Sequence, residues 1–222
     1  MVRSAALSLG LVVALVGVGV PTASASCRSK IGAHAHVVVQ TRSAVVYRRV
    51  EHPPDPSFGD QPIYRGCEFR TGKLRRLNDF GNPAEHLGHW TLAGRYVAFT
   101  RFTDEGASAE VMQRLDVYDL REGSYRLRLR PIASGTPQSE LNEIVRSLVM
   151  KPNGSIAWIA SFNPQSGPAE SYQVSEVEMR SGDARTKLDE GPAIRPRSLA
   201  LSDDRKTVYW RSGADVRAAR LR

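Results

Sequence analysis

The sequence predicts an all-β fold, a β-propeller of about four four-stranded antiparallel blades, because two markers keep step along the chain. The first is an aliphatic–x–aromatic trio: Val45-Val46-Tyr47, Val97-Ala98-Phe99, Ile156-Ala157-Trp158 and Val208-Tyr209-Trp210, starting 52, 59 and 52 residues apart. Residues of these types suit a pleated, mostly buried strand. The second is an apolar-Arg-x-Gly turn at Phe69-Arg70-Thr71-Gly72, Leu120-Arg121-Glu122-Gly123 and Met179-Arg180-Ser181-Gly182, with a fourth copy beginning at Leu221-Arg222. Its glycine supplies the positive φ of a tight hairpin turn. Repetition near 50 residues, with strands before and after each marker, is the pattern of propeller blades.

Each unit resolves into strands bounded by turn chemistry. The first is expected at 37–40, 44–48, 63–69 and 73–77, with the trio in its second strand. The second is expected at 89–92, 96–101, 115–120 and 125–130; "LAGR" precedes its trio, and "YRLRLR" alternates with the period of two that strands require. The third falls at 147–150, 156–161, 173–179 and 184–188, entered from "KPNG". The fourth has 198–201, 207–211 and 215–221, entered from "SDDRK", and lacks a last strand. Residues 27–35 are expected to fill that gap by pairing with 215–221, tying the first blade to the last. One or two helical turns are expected within "SELNEIVRSL", residues 139–148.

The first 25 residues read as a secretory signal peptide: Arg3, an apolar run of 16 residues, then Ala23-Ser24-Ala25. An uncleaved anchor is the alternative, though the run is short for a bilayer span of about 20 residues. No later run approaches a span, so residues 26–222 are expected to form one soluble domain, secreted or held in the cell envelope. In that compartment the two cysteines, Cys27 and Cys67, are expected to be bridged, two free thiols being the alternative. The chain carries 31 Lys+Arg against 23 Asp+Glu, a formal charge of +8, which suits anionic partners without choosing among them.

The segments "LVMKPNGSIAWIAS" and "LALSDDRKTVYWRS", each followed by a strand, resemble TolB-type propeller repeats. The resemblance implies a propeller used for protein or ligand contacts and carries over no catalytic residue. Lys151-Pro152-Asn153-Gly154 comes close to the Ser-Pro-Asp-Gly of those repeats, whereas Ser202-Asp203-Asp204-Arg205 departs from it.

In such a meander the short turns lie on one face and the long connections on the other, where binding usually resides. The long connections, together with the adjoining Arg146, hold 13 acidic residues against two basic ones, Arg146 and Arg195. The candidate binding face is therefore Asp55, Asp60, Glu85, His86, Asp104, Glu105 and Glu143. The outer-strand segments 67–77, 120–130 and 180–188 hold 11 basic residues against three acidic. Arg126, Arg128 and Arg130 form an outward stripe that either blunts a sheet edge or makes salt-sensitive polyanion contact. No cofactor and no metal is expected. His34-x-His36 and Glu85-His86-x-x-His89 match no specific zinc spacing, and no nucleophile-elbow or phosphate-loop motif is present. The preferred reading is a monomeric, non-enzymatic module that binds a protein or cell-wall polymer through its long acidic loops. The alternative is a carbohydrate hydrolase or lyase gathering Asp55, Asp104 and Glu143.

Overall fold

The computed structural model describes residues 26–27, 29–30, 34–52, 59–78, 85–104, 111–130, 132, 144–162 and 174–222. They form four antiparallel sheets, each a meander with neighbours in chain order. The first holds β1 (His36–Gln40), β2 (Ala44–Glu51), β3 (Gln61–Glu68) and β4 (Lys73–Arg76). The second holds β5 (Glu85–Ala93), β6 (Tyr96–Asp104), β7 (Val111–Asp119) and β8 (Ser124–Leu129). The third holds β9 (Ile144–Met150), β10 (Ile156–Phe162), β11 (Val174–Ser181) and β12 (Ala184–Gly191). The fourth has three strands, β13 (Ala200–Leu201), β14 (Thr207–Ser212) and β15 (Asp215–Arg220). The fold is propeller-like, and every expected strand is present within a few residues of its expected bounds. The helical turns expected within 139–148 give way at their C-terminal half to β9, whose Ser147 and Leu148 pair with β10.

The trios explain how the sheets stack. They occupy β2, β6, β10 and β14, and their residues point alternately to the two faces of each sheet. Val97 and Phe99 pack with Val46 of the preceding sheet. Ile156 and Trp158 pack with Ala98, and Val208 and Trp210 with Ala157. A small residue in the middle of one trio thus leaves room for the aromatic of the next. The middle residue of the last trio, Tyr209, belongs to no apolar cluster among the described residues and is 39% exposed. Among the described residues no buried cluster joins the fourth sheet to the first.

Among the described residues, the N-terminal segment does not pair with the fourth sheet as expected. Ser26, Cys27, Ser29 and Lys30 are helical, and among the described residues β15 pairs only with β14. The segment lies instead on the first sheet, where Cys27 bridges Cys67 across a Cα separation of 6.0 Å. Cys27 joins Val45, Tyr47 and Phe69 in a buried cluster, and Lys30 Nζ donates to the Gly72 carbonyl at 2.8 Å. A preceding sheet covers this face of the trio in the other three sheets; here the disulfide-tethered segment does. A helix hides the apolar side chains without needing a strand edge to bond to, which is why the bridge holds while the strand pairing fails.

The apolar-Arg-x-Gly turns have the expected backbone: Gly72, Gly123 and Gly182 have φ of 60°, 79° and 59°. At Gly123 a β-carbon would also meet the Arg75 guanidinium carbon at 2.6 Å. Gly123→Ala is therefore expected to lose about 1–3 kcal/mol from the strained backbone, read as a lower urea midpoint. An unchanged midpoint would show that the turn relaxes.

Each of these turns follows a carboxylate that is almost wholly buried: Glu68 3% exposed, Asp119 0% and Glu178 0%. Buried charge must be paired, and each acid has an arginine. Glu68 pairs with Arg121 of the next sheet, Asp119 with Arg95 at 3.0 Å, and Glu178 with Arg185 at 2.5 Å. The hydrogen bond from Arg121 holds the Glu68 carboxyl below the usual carboxylate range.

Candidate functional site: an arginine cleft at the inner-strand ends

The first strands of three sheets are interrupted by extra residues, and in the fourth an isolated bridge lies ahead of the first strand. A bulge re-aims side chains that strict alternation would send into a sheet face. In the first sheet the register shifts between Val37 and Val39, and Val38 packs into the neighbouring apolar cluster. In the second it shifts between Gly88 and Thr91, and the extra residue includes His89, whose φ of 47° is unusual for a residue with a β-carbon. In the third, Val145 pairs with Ala160 and Ser147 with Ile159, which leaves Arg146 as the extra residue. In the fourth, Ile194 bridges Ser212 and Ala200 pairs with Tyr209. The chain between them carries Arg195, Pro196, Arg197 and Ser198.

Arg146, Arg195, Pro196, Arg197, Ser198 and Arg211 line one cleft of about 610 Å³. It opens at the end of the sheets where the long connections lie. Its backbone is tied down. The Arg195 N–H donates to the Arg211 carbonyl at 2.9 Å, and the Gly213 N–H to the Ala193 carbonyl at 2.7 Å. Ser198 Oγ donates to the Arg195 carbonyl at 2.7 Å and accepts from the Arg211 N–H at 2.9 Å. Ser147 Oγ donates to the Pro196 carbonyl at 2.9 Å, which fixes the loop to β9.

The electrostatics are one-sided. Among the described residues no carboxylate lies within ion-pair distance of Arg146, Arg195, Arg197 or Arg211. Arg146 Nε is buried without a hydrogen-bond partner. Arg101, which is buried, and the half-buried Arg185 differ: Arg101 donates to Asp116 at 2.9 Å, and Arg185 to Glu178. A guanidinium cannot shed its proton near neutral pH, so the cleft lining stays positively charged. The same field reaches His89. Partial desolvation of its imidazole, then the charges of Arg146 and Arg197, lower its pKa below the ordinary 6.5, the residue itself being exposed.

The predicted site residues fare differently. Asp60 is exposed and contacts the His52 ring, and His86 is exposed on β5. Glu85 and Asp104 stand on β5 and β6, opposite Thr103 and Val111. Asp55, Glu105 and Glu143 lie outside the described residues. Of the basic rim, Arg126 pairs with Glu122 at 3.1 Å and reaches Asp119 at 3.7 Å. Arg128 lies over the Tyr125 ring at 3.7 Å, and Arg130 ends the strand segment. Among the described residues no group of three or more His, Cys, Asp or Glu is placed to hold a metal ion, and no helix is long and apolar enough to cross a membrane. Sequence reasoning noted Arg146 and Arg195 only as exceptions in acidic connections and missed Arg197 and Arg211. The run Arg195-Pro196-Arg197-Ser198, two arginines about a proline just ahead of a strand, was the available clue.

No known protein family matches the chain, and no curated protein matches it. Among solved structures it is similar to the tricorn protease, with a TM-score of 0.44, 15% identity, and coverage of 78% of this chain and 14% of that one. It is also similar to a chain in the complex of KlAtg21 with the coiled-coil of AgAtg16, with a TM-score of 0.42 and 10% identity, covering 84% of this chain and 52% of that one. The chain therefore spans about one seventh and about half of these two neighbours.

Proposed function

We propose that this chain is a non-enzymatic, extracytoplasmic binding module that seats an anionic partner, a polymer or an acidic protein segment, at its long-loop end. One observation carries the reading: four arginines without a described carboxylate partner converge on one cleft whose backbone is tied down. Guanidinium forks bind carboxylate, sulfate and phosphate oxygens in pairs, and a cleft of this size suits a ligand or polymer segment larger than a single ion. The resemblance to TolB-type repeats supports a binding role, and the Cys27–Cys67 bridge and the leader-like first 25 residues support an oxidising compartment.

The test compares retention of residues 26–222 on immobilised heparin with that of an Arg146→Gln, Arg195→Gln, Arg197→Gln triple variant. The variant should elute at clearly lower salt, with a log-affinity against log-salt slope shallower by about three charges, by analogy with counterion release from nucleic acids. An Arg126→Gln, Arg128→Gln, Arg130→Gln variant should change less, because Arg126 already has carboxylate partners. Co-elution of the cleft variant with the parent, or a larger loss in the rim variant, would overturn the reading.

A further inference from the structure

We propose that the outward face of the fourth sheet is a platform for an acidic polysaccharide, a sugar chain bearing carboxylate or sulfate groups, which enters the arginine cleft and stacks a ring on Tyr209. The proposal rests on the cleft reading above and names the class of its ligand.

The strand registers fix which side chains share the face. Val208 and Trp210 of β14 point into the cluster shared with the third sheet, so Tyr209 and Arg211 point the other way. Ala200 of β13 and Ala218 of β15 stand opposite Tyr209, and Val216 stands opposite Arg211. Ile194, buried in the same cluster as Trp210, bridges Ser212. That register sets Arg195 opposite Arg211, and the Arg195 N–H donates to the Arg211 carbonyl at 2.9 Å. At the other end Arg220 stands opposite Thr207. Tyr209 thus lies between an arginine pair and Arg220, each about 7 Å away along the strands, and all these arginines and alanines are exposed.

The face differs from those that receive a neighbouring sheet. The middle trio residue of the first three sheets is Val46, Ala98 or Ala157, each buried in a cluster shared with the next sheet. In the fourth it is a tyrosine, and the alanines on both sides of it are too short to crowd a ring laid over it. The charge is one-sided as well. Among the described residues no carboxylate pairs with Arg195, Arg211 or Arg220, whereas Arg217, on the inward face, is paired with Asp189 at 2.6 Å. Residues 194–222 hold eight basic side chains against three acidic. Arg195 and Arg211 also line the cleft, so platform and cleft are continuous.

This surface fits a ligand that is ring-bearing and anionic at once. Guanidinium groups take carboxylate or sulfate oxygens, and a tyrosine adds a large, rigid contact area at small entropy cost. An acidic polysaccharide presents the C–H face of a sugar ring to Tyr209 and the charges beside it to the arginines. An acidic peptide would draw its specificity from side-chain pockets, and the alanine row forms none.

The experiment measures binding of residues 26–222 to a heparin octasaccharide and to inorganic polyphosphate of matched charge. Tyr209→Ala should weaken the octasaccharide about three- to tenfold, the size of one ring contact, and change polyphosphate less than about twofold. Tyr209→Phe should bind as the parent does. Arg220→Gln should lower the log-affinity against log-salt slope by about one charge. All three should melt with the parent, because the side chains replaced are exposed. Parental binding of the octasaccharide by Tyr209→Ala and Arg220→Gln, with loss in the cleft triple variant, overturns the platform and leaves the cleft reading intact. A Tyr209→Ala loss equal for polyphosphate, or larger for oligodeoxythymidylate or polyglutamate than for the octasaccharide, overturns the choice of a polysaccharide. Absence of binding to every polyanion overturns both readings.

Discussion

Replacing Arg101 by alanine is expected to cost about 3–5 kcal/mol, the range for a buried ion pair that loses one partner. Arg101 is 4% exposed, in the strand β6 that follows the first inter-sheet seam. Its Nε donates to Asp116 Oδ2 at 2.9 Å, and Nη2 donates to the Leu77 carbonyl at 2.9 Å and to the Tyr125 hydroxyl at 2.7 Å. One side chain thus joins the end of the first sheet to the two outer strands of the second. Asp116 is 0% exposed. Arg114 also holds it, at 2.7 and 3.1 Å, which keeps the loss from running higher. Against a total stability of about 5–15 kcal/mol, the change is large. Lysine at the same position should recover only part of it, because a single ammonium cannot reproduce the guanidinium fork toward three separate acceptors. Urea unfolding of the parent, Arg101→Ala and Arg101→Lys checks this. A loss below about 1 kcal/mol for the alanine variant would show that Arg114 alone satisfies Asp116.

The second large effect concerns the bridge. Opening Cys27–Cys67, with a sequence separation of 40, should cost about 3–4 kcal/mol in the chain-entropy account. Cys27→Ser and Cys67→Ser should lower the unfolding midpoint equally. Deleting residues 26–35 should cost more than either, because it also bares Val45, Tyr47 and Phe69. Hydrogen exchange shows where the damage falls. Protection should drop along β2, β3 and β4 and stay unchanged along β15. A drop confined to β15 would restore the expected pairing of the N-terminal segment with the fourth sheet, against the observed contacts.

The repeat, its register and nearly every strand are legible in the sequence because those features are local. Alternation along a strand, the turn chemistry of Lys151-Pro152-Asn153-Gly154, and the glycine of each apolar-Arg-x-Gly turn all act within a few residues. The alternation of Val97, Ala98 and Phe99 already contains the stacking rule of small residue against large. Cysteine pairing is legible too, from the parity of two thiols. What covers the first sheet was not legible. A short segment lays down side chains equally well as strand or helix, and only the tether to Cys67 and the apolar face of Val45 and Tyr47 that it covers decide between them.

The site belongs almost wholly to tertiary structure. Counting acidic residues along the connections drew attention away from Arg146 and Arg195, because composition does not tell which charges find partners inside the fold. Asp189, one of those acids, accepts from the Trp210 indole N–H at 2.7 Å and from Arg217 at 2.6 Å. The rim arginine Arg126 is likewise paired. Arg146 sits at a bulge of β9, and a one-residue insertion is invisible to a period-of-two pattern until the partner strand shows which residue has no opposite. Arg146 and Arg211 are 65 positions apart in the sequence; the stacking of the third and fourth sheets brings them to one cleft, and the absence of a described carboxylate there gives the cleft its charge.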